Sequence, residues 1–358
     1  MKDNNFNFLT KEQKLSINLK ALYKSYGYNE FRLPGFDEYS LYADNQSFIG
    51  GKDVVSFSVG GKLLALRPDV TLSIIKNGKS LGNTQKLFYD EKVYRRTARG
   101  GLAEVSQIGV EIIGDADIVS EAELCTLILK TLAEVNGDFI LDFSHTGIIV
   151  KLLDSLNLNG SNRTFAVKCL EGKNVHDFIR FAKNTNLDES KTQAFMSLIN
   201  LSARSAEAKL TLDSINKIID ISEEIDEMFS LIEYVGGSKI NIDFSIGGDT
   251  DYYNGLIFKG YVKGVPHAVL SGGRYDKLLS KFGRTEKAMG FALYLGELCK
   301  YLQDEQSMPD AVLVYSDESP SAVLQMAEGL RNNGIKLLTC KSVPAGFNGK
   351  IYYAENFK

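Results

Sequence analysis

Two stretches decide the fold of this chain: Gly247-Gly-Asp-Thr-Asp-Tyr-Tyr-Asn-Gly255 and Leu270-Ser-Gly-Gly-Arg-Tyr-Asp276. Between them, Leu256 to Val262 has the composition of a β-strand. A tyrosine pair, Tyr252 and Tyr253, therefore precedes a strand, and a glycine-flanked Arg-Tyr-Asp sequence, which we interpret as a turn, follows it. Because a tyrosine ring can wall a small ligand while its hydroxyl hydrogen-bonds to it, this segment predicts a strand with a candidate pocket beside it.

Strand patterns extend outward from this segment, with helices between them. Thr10 to Tyr26 predicts an amphipathic helix that begins with a Thr10 and Gln13 capping box. Two short strands flank Gly60-Gly61, a sequence typical of a hairpin turn. Residues 86–96 and 104–113 predict two longer strands. A strand-rich sheet with flanking helices indicates an α+β fold rather than a doubly wound sheet.

The periodicity changes in the middle of the chain and again near its end. Residues 157–235 have a helical pattern throughout, which predicts a helical insertion. Pro309 marks a boundary, and the residues after it predict a small α/β module. The predicted domains are therefore a core of residues 1–305 that contains the insertion, and a C-terminal module of residues 309–358.

Composition excludes several classes of protein. The 358 residues are 44% hydrophobic and 24% charged, with a formal net charge of -4, so a basic nucleic-acid-binding surface is not the default expectation. No run approaches the ~20 apolar residues that cross a membrane, and we expect a cytoplasmic protein. The three histidines and four cysteines are scattered, and common nucleotide-binding signatures are absent, so we expect no metal site and no cofactor.

Several motifs, taken in chain order, resemble those of histidyl-tRNA synthetases, which are class II aminoacyl-tRNA synthetases. The resemblance covers roughly residues 8 to 305 and is specific in combination, although each motif alone is weak. It implies the class II antiparallel sheet flanked by helices. The motifs are Glu30-Phe-Arg-Leu-Pro34, Leu66-Arg-Pro-Asp-Val-Thr71, Tyr94-Arg95, Gln107-Ile-Gly-Val-Glu111, the pair Tyr252-Tyr253, and Gly272-Gly-Arg-Tyr-Asp276.

The resemblance implies a site for free histidine. Asp69 would balance the ammonium group, Glu111 would accept an imidazole N–H, and tyrosines would wall the ring. Arg95 or backbone N–H groups could pair with the carboxylate. The candidate histidine-binding residues are Asp69, Thr71, Arg95, Gln107, Glu111, Tyr252, Tyr253 and Tyr275.

Each candidate also has a simpler interpretation when it is taken alone. Asp69 could be an acid at a helix start, where the helix dipole favours negative charge. Glu111 could be a hydrogen-bonded acid in a sheet, and the tyrosine pair could belong to the core. Gly272-Gly273 could be an ordinary turn. Only the joint arrangement favours a binding site.

The chain departs from the synthetases where ATP chemistry needs cations. Those enzymes place an arginine three residues before Asp-Tyr-Tyr, where it stabilises the charge that develops during histidine activation, but this chain has Gly248. Their third motif ends Gly-Leu-Glu-Arg, with the arginine on the ATP phosphates, whereas this chain has Tyr294-Leu-Gly-Glu297. A carboxylate repels a triphosphate, and losing one such charge donor commonly lowers the rate ~100- to 1000-fold. We therefore predict no catalytic residues and no synthetase activity.

A synthetase-like chain with these departures resembles one family, the regulatory subunits of ATP phosphoribosyltransferase. That resemblance implies a hetero-oligomer with a short catalytic subunit, a homodimer of this chain within it, and feedback inhibition by histidine at the first step of histidine biosynthesis. Only about fifty residues follow the core, too few for the synthetases' anticodon-binding domain, so we expect no tRNA binding. The alternatives are a working histidyl-tRNA synthetase and a standalone histidine-binding protein.

Overall fold

The computed structural model describes residues 9–45, 54–78, 83–96, 101–247, 252–299, 301 and 309–357. The chain separates into two compact units, Met1–Leu302 and Gln303–Lys358. Within the described residues, no helix is both long enough and apolar enough to cross a lipid bilayer.

The larger unit is built on a mixed sheet that contains nine of the described strands. Their order across the sheet is β1, β5, β6, β12, β11, β10, β7, β9 and β8, and six of the eight neighbouring pairs run antiparallel. This architecture confirms the predicted α+β class. The strands are β1 (Asn29–Glu30), β5 (Gln85–Arg96), β6 (Leu102–Gly114), β7 (Phe139–His145), β8 (Ser202–Arg204), β9 (Ile240–Asp243), β10 (Leu256–Val262), β11 (Leu270–Arg274) and β12 (Lys287–Tyr294).

Helices pack on this sheet and form the insertion within it. The predicted capping box is confirmed, since Gln13 N–H donates to Thr10 Oγ1 and Thr10 N–H donates to Gln13 Oε1. The helices of the larger unit are α1 (Lys11–Ser25), α2 (Tyr39–Ala43), α3 (Val70–Asn77), α4 (Ile118–Val135), α5 (Thr146–Ser155), α6 (Gly160–Glu171), α7 (Val175–Asn184), α8 (Glu189–Asn200), α9 (Ser205–Asn216), α10 (Ser222–Val235), α11 (Asp276–Lys281) and α12 (Leu295–Cys299).

A second, three-stranded sheet contains the predicted hairpin. Its strands are β2 (Phe36–Glu38), β3 (Ser56–Val59) and β4 (Lys62–Leu66), in the order β2, β4, β3. Gly60 and Gly61 both have positive φ, 57° and 79°, as the tight turn between β3 and β4 requires. Strand β4 leads directly to Arg67, Pro68 and the start of α3, so the hairpin positions the first candidate site residues.

The prediction that residues 157–235 are helical throughout is wrong at one place. Ser202–Arg204 forms β8, which pairs antiparallel with β9 at the edge of the large sheet. Three residues are too few to show the two-residue alternation of a strand. Their extended conformation comes from the ladder with β9, which no local pattern can reveal.

The predicted turn at Gly272-Gly273-Arg274 is also wrong, because these residues are part of strand β11. A Cβ on Gly272 would lie 2.2 Å from the carbonyl oxygen of Gly290 on the next strand. A Cβ on Gly273 would lie 2.6 Å from the ring of Tyr253. The two glycines therefore serve close approach within a sheet rather than a change of chain direction.

Successive side chains of β6 point to opposite faces of the sheet. Ile108, Val110 and Ile112 are fully buried on the face that packs in the main core with α1 and α4. Because successive side chains point to opposite faces, Gln107 and Glu111 lie on the other face. One strand thus supplies both the core and the candidate site.

The smaller unit is an α/β module, as the sequence predicts. Strands β13 (Ala311–Val314), β14 (Leu337–Cys340) and β15 (Lys350–Tyr353) form a parallel sheet in the order β14, β13, β15. Helix α13 (Pro320–Asn332) begins at an N-cap, Ser319. Leu313, Val323, Ala327 and Ala354 form its buried core.

Candidate functional site

Small residues form a floor in the centre of the large sheet. The strand register places Gly109 opposite Tyr89 and Ala292, and Ala292 opposite Ser271. A Cβ on Gly109 would lie 2.2 Å from the carbonyl oxygen of Phe291, so this position accepts no larger side chain without movement. The ring of Tyr89 lies over Gly109, and the small side chains of Ala292 and Ser271 leave space beside it.

That space is a cavity of about 60 Å³, several times the roughly 10–15 Å³ that one water molecule needs. All eight candidate residues line it, although they come from five separate parts of the chain. They are Asp69, Thr71, Arg95, Gln107, Glu111, Tyr252, Tyr253 and Tyr275. The structure therefore brings together every residue that the sequence assigned to the site.

Sequence reasoning missed part of the lining. Tyr89, Ser271, Gly290, Ala292 and Tyr294 also line the cavity. The signal that could have identified three of them is alternation, since Gly290, Ala292 and Tyr294 are two residues apart on β12 and share one face. Ser271 and Tyr89 need the strand register, which the sequence does not show.

Asp69 combines a structural role with a place in the cavity. It is the N-cap of α3, and its Oδ1 accepts the backbone N–H of Leu72 at 2.8 Å. The interpretation of Asp69 as an acid at a helix start is thus correct, and the residue lines the cavity as well. Burial raises the pKa of Asp69, and the nearby Arg95 cation partly offsets this effect.

Glu111 is the most buried acid of the cavity, with 2% of its surface exposed. Its Oε1 accepts the hydroxyl of Thr71 at 2.9 Å, and its Oε2 accepts the hydroxyl of Tyr275. Burial raises the pKa of Glu111 to about 8. The two hydrogen bonds lower this pKa, and the charge of the nearby Asp69 raises it further. A carboxyl with this pKa is mostly protonated at neutral pH.

A glycine makes room for the Glu111 carboxyl. Gly290 lies directly opposite Glu111 on the neighbouring strand. A Cβ on Gly290 would be 1.8 Å from Glu111 Oε2, far inside van der Waals contact. The position of the carboxyl group thus depends on a glycine at residue 290.

Three tyrosines form an aromatic wall. The ring centroids of Tyr252 and Tyr253 are 4.6 Å apart, and those of Tyr252 and Tyr275 are 6.0 Å apart. Burial raises the pKa of Tyr252 and of Tyr275 well above the ordinary value, and acidic neighbours raise both further. These phenols are therefore neutral and can each donate a hydrogen bond.

Two further polar side chains, Gln107 and Arg95, line the cavity. Gln107 is 3% exposed, and its amide has both donor and acceptor atoms. Arg95 lies near the end of β5, is exposed, and donates from Nε to the carbonyl oxygen of Pro68 at 3.2 Å. The cavity thus has a fixed cation at its edge and an amide within it.

The departures from the synthetase motifs have different outcomes. Gly248 lies outside the described residues. Glu297 does not line the cavity, and its Oε2 lies 3.5 Å from His267 Nε2. Within the described residues, no group of three or more histidines, cysteines or acids has the arrangement of a metal site.

Comparison with known proteins identifies relatives along most of the chain. The family profile described as Histidyl-tRNA synthetase matches residues 2–298. A protein of Caldanaerobacter subterraneus subsp. tengcongensis, named ATP phosphoribosyltransferase regulatory subunit, is 31% identical over 348 residues, which are 91% of this chain and 90% of the relative. A protein of Clostridium kluyveri with the same name is 27% identical and covers 93% of this chain and 90% of its own length.

Solved structures share the fold. An ATP phosphoribosyltransferase regulatory subunit/histidyl-tRNA synthetase from Bacillus halodurans has a TM-score of 0.76 at 23% identity, and the match covers 99% of this chain and 96% of that one. A chain of an ATP phosphoribosyl transferase (HisG:HisZ) complex from Thermotoga maritima has a TM-score of 0.64 at 18% identity, with coverage of 80% and 97%.

Proposed function

This chain belongs to the histidyl-tRNA synthetase family and to the ATP phosphoribosyltransferase regulatory subunits within it, and on that premise we propose that its cavity binds free histidine and conveys feedback inhibition. It is a regulatory, non-catalytic subunit of ATP phosphoribosyltransferase, the enzyme of the first step of histidine biosynthesis. The proposal concerns the ligand, the partners and the way in which the ligand acts.

The observation that carries the proposal is the convergence of eight polar and aromatic side chains on one cavity. Free histidine presents an ammonium, a carboxylate and an imidazole, and the cavity has a complementary group for each. Asp69 suits the ammonium, Arg95 the carboxylate and Glu111 the imidazole. A buried polar site of this kind rejects analogues that lack the matching groups.

The protonation of Glu111 supports the proposal that the imidazole of histidine binds beside this residue. The carboxyl is mostly neutral near pH 7, because its pKa is about 8. An imidazole N–H donor stabilises the ionised carboxylate and lowers that pKa. Histidine binding at pH 7 is therefore expected to release a proton, which calorimetry in buffers of different ionisation enthalpy measures.

Feedback requires a partner. A ligand changes a partner's activity only through its differential affinity for two states of the complex, a coupling of typically ~1–3 kcal/mol. We propose a hetero-oligomer with a short catalytic subunit, which needs this chain for activity, and a homodimer of this chain within it. We propose no interaction with tRNA, and a cytoplasmic location as the biosynthetic role requires.

Co-expression with a short catalytic subunit tests the proposal. Transferase activity is expected to depend on this chain and to fall when histidine is added. Glu111→Ala and Tyr253→Ala are expected to raise the inhibitory histidine concentration at least about tenfold, as loss of one buried hydrogen-bonded group does. Matched controls are Glu104→Ala, an exposed acid on the same strand, and Tyr234→Ala, which is 64% exposed.

Two results would contradict the proposal. Histidine inhibition that is as strong in Glu111→Ala and Tyr253→Ala as in the wild type would exclude the cavity as the histidine site. Histidine-dependent exchange between ATP and pyrophosphate, catalysed by the purified chain alone, would show that synthetase chemistry persists despite the carboxylate of Glu297.

A further inference from the structure

The cavity-facing side chains of β12 increase in size along the strand. Gly290, Ala292 and Tyr294 share one face and all line the cavity. Gly290 is paired with Glu111, and Tyr294 is paired with Gln107 four residues earlier on β6. On β12, the residue paired with Glu111 therefore has no side chain, whereas the residue paired with Gln107 has a large one.

Tyr294 is held in place at both of its ends. Its hydroxyl is hydrogen-bonded to Ser271 Oγ on the neighbouring strand β11. Its backbone N–H donates to the carbonyl oxygen of Val269 at 2.8 Å. The ring therefore spans from β12 to β11 and lies across the row of small residues that forms the floor.

We propose that Tyr294 sets the length of the ligand, so that the cavity accepts a free amino acid and rejects derivatives extended from its carboxyl group. This inference rests on the proposed histidine site. It assigns Tyr294 a part in specificity, because its ring would overlap any group that continues past the amino-acid carboxyl.

The orientation of the ligand follows from the two ends of β6. Glu111 and Gln107 are four residues apart on the strand, which is about 13 Å. An imidazole at Glu111 directs the carboxyl end of the ligand toward Gln107 and Tyr294. The ring of Tyr294 lies at that end of the cavity.

Two histidine esters test the inference by calorimetric titration of the full chain. Histidine methyl ester and histidine benzyl ester both lack the carboxylate charge and differ in the length of the group beyond the carboxyl. Tyr294→Ala opens the end of the cavity, and Tyr294→Val does so with a residue that favours strands. Tyr294→Phe retains the ring and removes only the hydroxyl, so it is the matched control.

The wild type is expected to bind the benzyl ester about 100-fold more weakly than the methyl ester, a steric discrimination of the size that pockets achieve. Tyr294→Ala and Tyr294→Val are expected to reduce this ratio below about tenfold, and Tyr294→Phe to retain it. An unchanged ratio in both small-residue variants overturns the inference, and histidine binding to the wild type still upholds the proposed function.

A second set of results distinguishes failure of the proposed function from failure of the inference about Tyr294. If the wild type binds neither histidine nor the methyl ester, the proposed function fails. The inference about Tyr294 is then decided by the benzyl ester alone. Binding to Tyr294→Ala that is absent from Tyr294→Phe supports it, and no binding to Tyr294→Ala overturns it.

Discussion

At the scale of single residues, Glu111 links the cavity to the pH dependence of stability. The folded-state pKa of this acid is about 8, above its ordinary value of 4.5, because burial disfavours the ionised form. Between these two values the folded chain holds a proton that the unfolded chain has lost. The contribution of Glu111 to stability is therefore complete below pH 4.5 and decreases as the pH rises to 8.

We expect Glu111→Gln to flatten this pH dependence. Relative to the variant, the wild type should lose up to about 1.4 kcal/mol in its free energy of unfolding per pH unit between pH 5 and pH 8. Urea unfolding at four pH values measures the difference. Glu104→Gln is the control, since Glu104 is exposed and should leave the slope unchanged. Parallel pH profiles for wild type and Glu111→Gln would refute the expectation.

Gly290 gives a second prediction at this scale. Gly290→Ala places a methyl group 1.8 Å from Glu111 Oε2, so the carboxyl or the strand has to move. We expect a loss of about 1–3 kcal/mol in the free energy of unfolding, together with weaker histidine binding. Gly137→Ala is the matched control, because a Cβ there meets nothing within 4 Å. Equal stability of the two variants would show that the cavity tolerates the displacement.

At the scale of elements, Arg274 connects β11 with three helices, α4, α10 and α11. Its Nη1 donates to Glu121 Oε1 on α4 at 3.0 Å and lies 4.0 Å from Glu227 Oε1 on α10. Its Nε donates to Asp276 Oδ2 at 2.8 Å. Because the next residue is Tyr275, this cluster joins the last helix of the insertion to a wall of the cavity.

We expect Arg274→Met to destabilise the larger unit by about 3–5 kcal/mol, because it leaves the buried Glu121 without its cation. Burial already raises the pKa of Glu121 to about 7 despite Arg274. Adding Glu121→Gln to the variant is expected to recover part of the loss, since the amide is uncharged. Urea unfolding measures both effects, and failure of Glu121→Gln to recover any stability would contradict the pairing.

The matched control for Arg274 is Arg180. Its side chain is 75% exposed and pairs with Asp177 on the same helix. Arg180→Met should change the free energy of unfolding by no more than about 0.5 kcal/mol, because exposed ion pairs contribute little.

At the scale of the whole molecule, the chain consists of two compact units with separate cores. Every residue that lines the cavity belongs to the larger unit. We expect Leu313→Ala to destabilise the smaller unit by about 2–5 kcal/mol, because Leu313 is fully buried in its core. The dissociation constant for histidine is expected to stay within about twofold of wild type.

Hydrogen exchange of peptides from residues 309–357 measures the stability of the smaller unit. Calorimetry measures the dissociation constant for histidine. Leu72→Ala serves as the comparison, because Leu72 is fully buried in α3 beside the cavity. It should weaken histidine binding. A tenfold or larger loss of affinity in Leu313→Ala would show that the cavity depends on the smaller unit.

Much of the fold was predictable because its signals are local. Capping residues located α1, two glycines located the hairpin turn, and alternating residues located β5 and β6. Strand β8 and the strand conformation of Gly272-Gly273 were not predictable, because both depend on neighbours that are distant in the chain.

The sequence by itself determined the secondary structure of most of the chain and the α+β class, because these follow from periodicity. Its motifs, through their resemblance to those of histidyl-tRNA synthetases, implied the eight candidate residues. Only the tertiary structure decided that those eight surround one cavity, that Gly290 makes room for the Glu111 carboxyl, and that Tyr294 is hydrogen-bonded to Ser271 beside the cavity. The physical reason is strand register: pairing places residues from β5, β6, β12 and β11 side by side, and no local pattern specifies which residues face each other.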